Sequence, residues 1–206
     1  EHPITERVVG VDLVKEQIKI ANAEHLKLKQ DELQQNGHAI ECRIYAEDTS
    51  NNFMPSPGLV RYVSEPLGLG VRHDGYIYEG YEIPIYYDPM ISKLIVWAQT
   101  REEAIKRMRR ALYEYKITGV KTSIKFLERI MDAPDFKNGN YNTHFIENNH
   151  DFLMQDPYCG DRCETLAIIA TYVDYLDKLG SKPAARISQN GSSRWKEMGR
   201  KKALRL

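Results

Sequence analysis

The chain is short of cysteine, carries no surplus of charge of either sign and has no long apolar run; each shortage removes a class of protein. Its three cysteines, Cys42, Cys159 and Cys163, are an odd and sparse set, not the disulfide framework of a secreted domain. Cys159 and Cys163 are spaced more widely than a CxxC pair, and His144 and His150 are not placed to complete four ligands, so no metal site is expected. Lys+Arg and Asp+Glu both number 29. That balance denies the chain the positive field that sequence-independent nucleic-acid binding needs. No segment approaches the ~20 apolar residues that span a bilayer, and no signal segment opens the chain, which predicts a cytoplasmic protein without a membrane partner. A glycine-rich phosphate loop is missing too: the close pair Gly68 and Gly70 leads into VRHDGYIY, a strand-like run rather than a helix whose N-terminus could hold phosphate.

What is present suffices for one well-buried core within 206 residues. Leu13, Val14, Ile18 and Ala21 follow Asp12 at helical spacing and predict a core-facing helix over 12–24. Residues 27–36 are a polar connector. Over 38–46 the chain alternates, with His38, Ile40, Cys42 and Ile44 on the core face and Ala39, Glu41, Arg43 and Tyr45 on the other. A loop over 48–58 precedes short strands at 59–63, 70–73 and 76–81. Turns at Pro66-Leu67-Gly68 and Asp74-Gly75 would join these strands into an antiparallel meander, and β-strand preference accounts for Tyr76, Tyr78, Tyr81, Tyr86 and Tyr87. The run MISKLIVWA at 90–98 is apolar on both faces apart from Ser92 and Lys93, an interior strand. Thr100 and Glu103 form a capping box for a helix burying Ala104, Ile105, Met108, Ala111, Leu112 and Tyr115. Its basic outer face, balanced by Glu102, Glu103 and Glu114, reads as solvated. Gly119 precedes another helix over 121–131. Strands followed by segregated helices give an α+β fold. A docked C-terminal helix carrying Leu166, Ile169, Ala170, Val173 and Leu176 is expected to end at Gly180. Residues 181–206, with Trp195 and Met198 as their main apolar anchors, read as a mobile basic tail. The domain boundaries follow as 1–150, 151–180 and 181–206.

Four segments carry a family resemblance in one order: EHPITERVVGVDLVKEQIKIA at 1–21, GHAIECRIYAED at 37–48, FMPSPG at 53–58 and YYDPM through KT at 86–122. The chain resembles the C-terminal domain of biotin carboxylases. Such enzymes use ATP to activate bicarbonate and carboxylate biotin on a partner protein, which requires a base and a charge-stabilising cation. The resemblance implies that Glu1 is the base and that Arg43 stabilises negative charge on the ureido oxygen. It also implies that Asp88 orients Arg43 or meets biotin, and that Leu69 and Arg72 lie on a homodimer interface. ATP and Mg would be bound by an upstream region, so a chain opening on Glu1 rather than Met is expected to be an inactive excised piece. The implied partners are a biotin carboxyl carrier protein and a carboxyltransferase subunit. Because no Met-Lys-Met biotin-attachment motif is present, an acyl-CoA carboxylase component is favoured over a fused pyruvate carboxylase. The chain departs from the family pattern at Ser123, where asparagine is usual, and in its extension beyond Glu147. Plainer roles remain for each residue: Arg43 in a cross-strand ion pair, Asp88 as a turn former before proline and Glu1 as a frayed end. In that case the domain serves packing and dimerisation alone. His2, His38 and His73 show no partner in the sequence and are read as packing or surface residues.

Overall fold

A computed structural model of the chain describes residues 1–154 and 161–180. Two compact units divide at Gln155. In the first, α1 (His2–Val9) has proline in its opening turn and stops at Gly10, whose φ of 76° is left-handed. No helix was expected over 2–9, although proline at the start and glycine just past the end is a helix signature. Helix α2 (Leu13–Ala21) follows, capped by the Asp12 carboxylate, which accepts from Lys15 N–H at 2.8 Å. Its apolar stripe does not reach the core as expected: Val14, Ile18 and Ile20 are exposed. The helix packs instead over the 27–36 connector, where Leu13 and Ile20 line an open groove with Val9, Leu26, Leu28 and Leu33.

Strands β1 (His38–Tyr45), β2 (Glu47–Asp48), β3 (Met54–Pro55), β4 (Gly58–Leu59), β5 (Tyr62–Ser64), β6 (Val71–Gly75), β7 (Glu82–Ile83) and β8 (Met90–Ala98) come next. After β8, α3 (Arg101–Glu114) leads into β9 (Lys116–Thr118) and α4 (Ile124–Asp132). The short helices α5 (Pro134–Asn138), α6 (Phe145–Asn148) and α7 (His150–Met154) close the unit. This is the expected α+β architecture, and every strand pairing is antiparallel. The neighbours are not consecutive, however. β8 lies between β1 and β6 in a three-stranded sheet, while β2–β3, β4–β7 and β5–β9 form two-stranded ladders. A meander would need sequential neighbours; burial on both faces draws β8 to the centre.

Ile40, Cys42 and Ile44 of β1 and Leu94, Val96 and Ala98 of β8 form one wall of the core, with Ala104, Ile105, Met108, Ala111, Leu112 and Tyr115 opposite. Ile95, on the sheet's other face, is buried as well. Thr100 Oγ1 accepts from Glu103 N–H at 3.2 Å, as the capping box predicts. Phe126, Ala133, Phe145 and Leu153 make a second, smaller cluster. Two expectations fail here. Asp74-Gly75 is not a turn, because Asp74 and Gly75 pair with Lys93 and Ser92 inside β6. Residues 76–81 are not a strand: Tyr76 and Tyr78 both pack edge-on against Tyr81, at 5.5 and 5.4 Å, and Val60 holds the loop through Gly80 N–H and Tyr81 C=O. The basic face of α3 is also less solvated than expected. Arg107 donates to the Trp97 carbonyl, and Arg101 reaches His38 and the Phe136 carbonyl over the Phe136 and Tyr141 rings.

Of the second unit, α8 (Asp161–Gly180) is described. Leu166, Ile169, Val173 and Leu176 are all exposed. Ile168, Tyr172 and Tyr175 are exposed as well, so apolar residues spread around the helix instead of forming one stripe. The expected tail at 181–206, Cys159 and the Cys163 side chain lie outside the described residues. Among the described residues no helix is long and apolar enough to cross a membrane.

Candidate functional site

Alternation along the central sheet creates a polar face opposite the core, as period-two geometry requires. Glu41 of β1 stands across from Ile95 of β8, which stands across from Arg72 of β6; in the next row Arg43, Lys93 and Asp74 are aligned in the same way. Helix α1 packs on this face through β1 and β8. The face is thus built from strand positions fixed by main-chain pairing, which leaves the side chains little freedom in where they start.

Arg43 is the most open of the functional candidates on the sheet, with 46% of its side chain exposed. Its Nε donates to Glu41 Oε1 at 3.3 Å. Hydrogen bonding to Glu41 first, and to Tyr45 second, holds the guanidinium pKa above its ordinary value. The partner is two residues away on the same strand, not across the sheet as the plainer sequence reading supposed; the residue across is Lys93. Sequence alternation put Glu41 and Arg43 on one face, so this pairing had a visible signal. Glu41 is itself almost enclosed, at 9% exposure, and its Oε2 lies 3.8 Å from the main-chain nitrogen of Glu1. The Glu1 side chain is open to solvent.

Asp88 sits in the loop before β8, where its carboxylate accepts from Met90 N–H at 2.8 Å. That loop touches the end of β1, since Ala46 N–H donates to the Pro89 carbonyl at 2.8 Å. Nearby Glu47 has its pKa raised by burial first and by the Asp88 charge second. The structure therefore brings the Asp88 loop up to β1, while Glu41 is the carboxylate that holds Arg43 Nε.

Arg72 makes a two-pronged pair with Asp74, at 2.8 and 2.7 Å, and reaches Glu6 of α1 at 3.3 Å. Hydrogen bonding from Arg72 is the leading reason that the Asp74 carboxyl lies below its ordinary pKa. Burial pushes Glu6 up, but bonds from His2, Leu13 N–H and Arg72 together bring it below its ordinary value. No sequence signal marked Glu6 as the tie between α1 and β6. Leu69, on the turn before β6, is 89% exposed. The adjoining Gly70 has φ 73°, and a Cβ there would strike the Trp97 carbonyl and Arg107, so the turn that presents Leu69 requires glycine.

The histidines His2, His38 and His73 all acquire partners that the sequence did not reveal. His2 pairs with Glu6 and His38 with Arg101. His73 is enclosed between Glu65, 3.3 Å from Nδ1, and the Tyr115 hydroxyl, 2.9 Å from Nε2. Ser123 does more than its swap for asparagine suggested: buried at the start of α4, it accepts Tyr45 N–H on Oγ and donates its own N–H to the Tyr45 carbonyl, both at 3.0 Å. Among the described residues no group of three or more His, Cys, Asp or Glu side chains could hold a metal ion.

Residues 41–148 match the biotin carboxylase C-terminal domain family. Bacillus subtilis biotin carboxylase 1 is 52% identical over 147 residues, covering 71% of this chain and 33% of that protein. A pyruvate carboxylase subunit of Methanothermobacter thermautotrophicus is 54% identical over 147 residues, covering 71% of this chain and 30% of that protein. Among solved structures, the Hydrogenobacter thermophilus 2-oxoglutarate carboxylase biotin carboxylase domain dimer, in complex with MgADP, ADP and bicarbonate, superposes with a TM-score of 0.73 at 46% identity. That match covers 76% of this chain and 34% of the other. The chain thus spans about a third of the length of the curated relatives it matches.

Proposed function

Because the chain belongs to the biotin carboxylase C-terminal domain family, we propose that, within a longer polypeptide, it forms the biotin-facing part of an ATP-dependent biotin carboxylase. The observation that carries this reading is Arg43: an arginine on an edge strand whose register β8 fixes, aligned through Nε and still half open on the polar face of the sheet. A permanently charged, planar donor so placed suits an anion that develops on the ureido oxygen when biotin loses its N–H proton. Biotin, brought by a biotin carboxyl carrier protein, is the group whose ureido nitrogen accepts the carboxyl. Glu1, at the head of α1, is the base toward bicarbonate, and Asp88 supports the biotin side from the loop that touches β1. ATP and Mg fit residues outside this chain, since Gly68 and Gly70 lead into β6 and not into a helix.

We further propose, from the motif resemblance alone, a carboxyltransferase partner and an acyl-CoA acceptor of the acetyl-CoA or propionyl-CoA type, in a cytoplasmic setting, with fatty acid biosynthesis as the process served. A second reading, part of a pyruvate carboxylase, is favoured by the 54% identity to the Methanothermobacter protein. Leu69 and Arg72 mark the homodimer surface, because Leu69 is an exposed apolar residue on a rigid glycine turn. In the longer polypeptide, Arg43→Ala should lower biotin carboxylation by about 10²-fold or more while leaving the KM for ATP nearly unchanged. A near-normal rate would return Arg43 to a surface ion pair and the chain to a packing module.

A further inference from the structure

Glu41 combines two properties that a surface ion pair does not require. Its side chain is nine-tenths buried, and among the described residues its Oε2 accepts no hydrogen bond. A buried carboxylate oxygen without a donor is costly to maintain. Across the strand pair it faces Ile95, so β8 offers it no cation at that position. Its other oxygen is committed to Arg43 Nε. The main-chain nitrogen of Glu1 lies 3.8 Å from Oε2, within reach of an ion pair and beyond a hydrogen bond. In a chain that continues before Glu1 this nitrogen is a peptide N–H, and a small closure of α1 onto β1 would make it a donor to Oε2.

We propose that Glu41 is a positioning residue, a single carboxylate that fixes Arg43 with one oxygen and the backbone of Glu1 with the other, and so sets the separation of cation and base. The inference rests on the roles proposed above for Glu1 and Arg43. Two features of the fold suit Glu41 to this task. It lies on β1, whose register is locked by β8, so the carboxylate has a fixed origin. Helix α1 is tied at its other side by Glu6 to Arg72, which leaves the Glu1 end as the part still to be aligned.

The test compares Glu41→Ala, Glu41→Gln, Arg43→Ala and the Glu41→Ala/Arg43→Ala pair in the longer polypeptide, reading kcat for biotin carboxylation, KM for ATP and thermal unfolding. Glu41→Ala should lower kcat by tenfold or more with KM for ATP unchanged, and Glu41→Gln, which keeps an acceptor for Arg43, should recover part of the loss. The double variant should be less impaired than the product of the two single effects, because Glu41 acts partly through Arg43. Multiplying effects, or a normal kcat in Glu41→Ala alongside an impaired Arg43→Ala, would overturn this inference alone. If Arg43→Ala were itself normal, the functional reading would fall and this inference with it. A loss in Glu41→Ala that followed only a lower unfolding temperature, with Glu41→Gln fully normal, would also overturn it by reducing Glu41 to a structural role.

Discussion

Ser123 shows how one buried hydroxyl can govern the junction between a strand and a helix. It exchanges two hydrogen bonds with Tyr45, so Ser123→Ala would leave the Tyr45 N–H without an acceptor. A stability loss of about 1–3 kcal/mol is expected, measurable by urea denaturation. Two other buried groups contribute to how stability changes at alkaline pH. Burial pushes the Cys42 thiol from 9.0 up to about 12, and burial likewise pushes the Tyr115 hydroxyl from 10.0 up to about 12. Each group keeps its proton when folded at a pH where the unfolded chain has released it. Their contribution is therefore complete below pH ~9 and falls as pH rises toward ~12. Tyr115→Phe, which strips His73 and Ser92 of a shared partner, should lower stability at neutral pH but flatten that alkaline fall, as a pH series of unfolding midpoints would show. By the same argument Cys42 should resist alkylation at pH ~8 until the protein is denatured.

At the scale of elements, burial separates helices that look alike in sequence. Met108 of α3 is fully buried, and Met108→Ala should cost about 2–5 kcal/mol. Ile18 of α2, 65% exposed, should change stability by less than ~0.5 kcal/mol on the same truncation; comparing the two denaturation curves checks both. Both helices carry an apolar stripe and a side-chain cap, so their starts were legible from local spacing. What each stripe would meet was not, because that depends on which distant segment arrives to cover it. β1 and β8 were readable for the opposite reason: alternation in one and double-sided apolarity in the other encode their environments directly. The insertion of β8 between β1 and β6 left no local trace. Nor did the ties at Glu6 and Ser123, whose partners lie 66 and 78 residues away. At the candidate site the motif residues stood out, whereas the enclosure of Glu41 shows only in the folded chain.

At the scale of the whole molecule, the chain covers about a third of its curated relatives, and the isolated chain is expected to show no bicarbonate-dependent ATP cleavage; a phosphate-release assay that found such turnover would relocate the nucleotide site. For association, Leu69→Glu is the cleaner probe. Arg72 already bridges Asp74 and Glu6 within one chain, so a Glu there would gather three carboxylates and disturb β6, whereas a charge at exposed Leu69 burdens only a surface that would be buried in a pair. Leu69→Glu should shift any dimer toward monomer in sedimentation without changing the unfolding midpoint. The central position of β8 also bears on how the protein comes into being. As the chain emerges from the ribosome, β1 and then β6 are made first, yet neither has its neighbour until Ala98 has followed. At about 5–20 residues per second that interval lasts several seconds. During it, β1 and β6 present unpaired edges to other nascent chains, so the order in which the strands are made, and not their final packing, opens a window for mispairing.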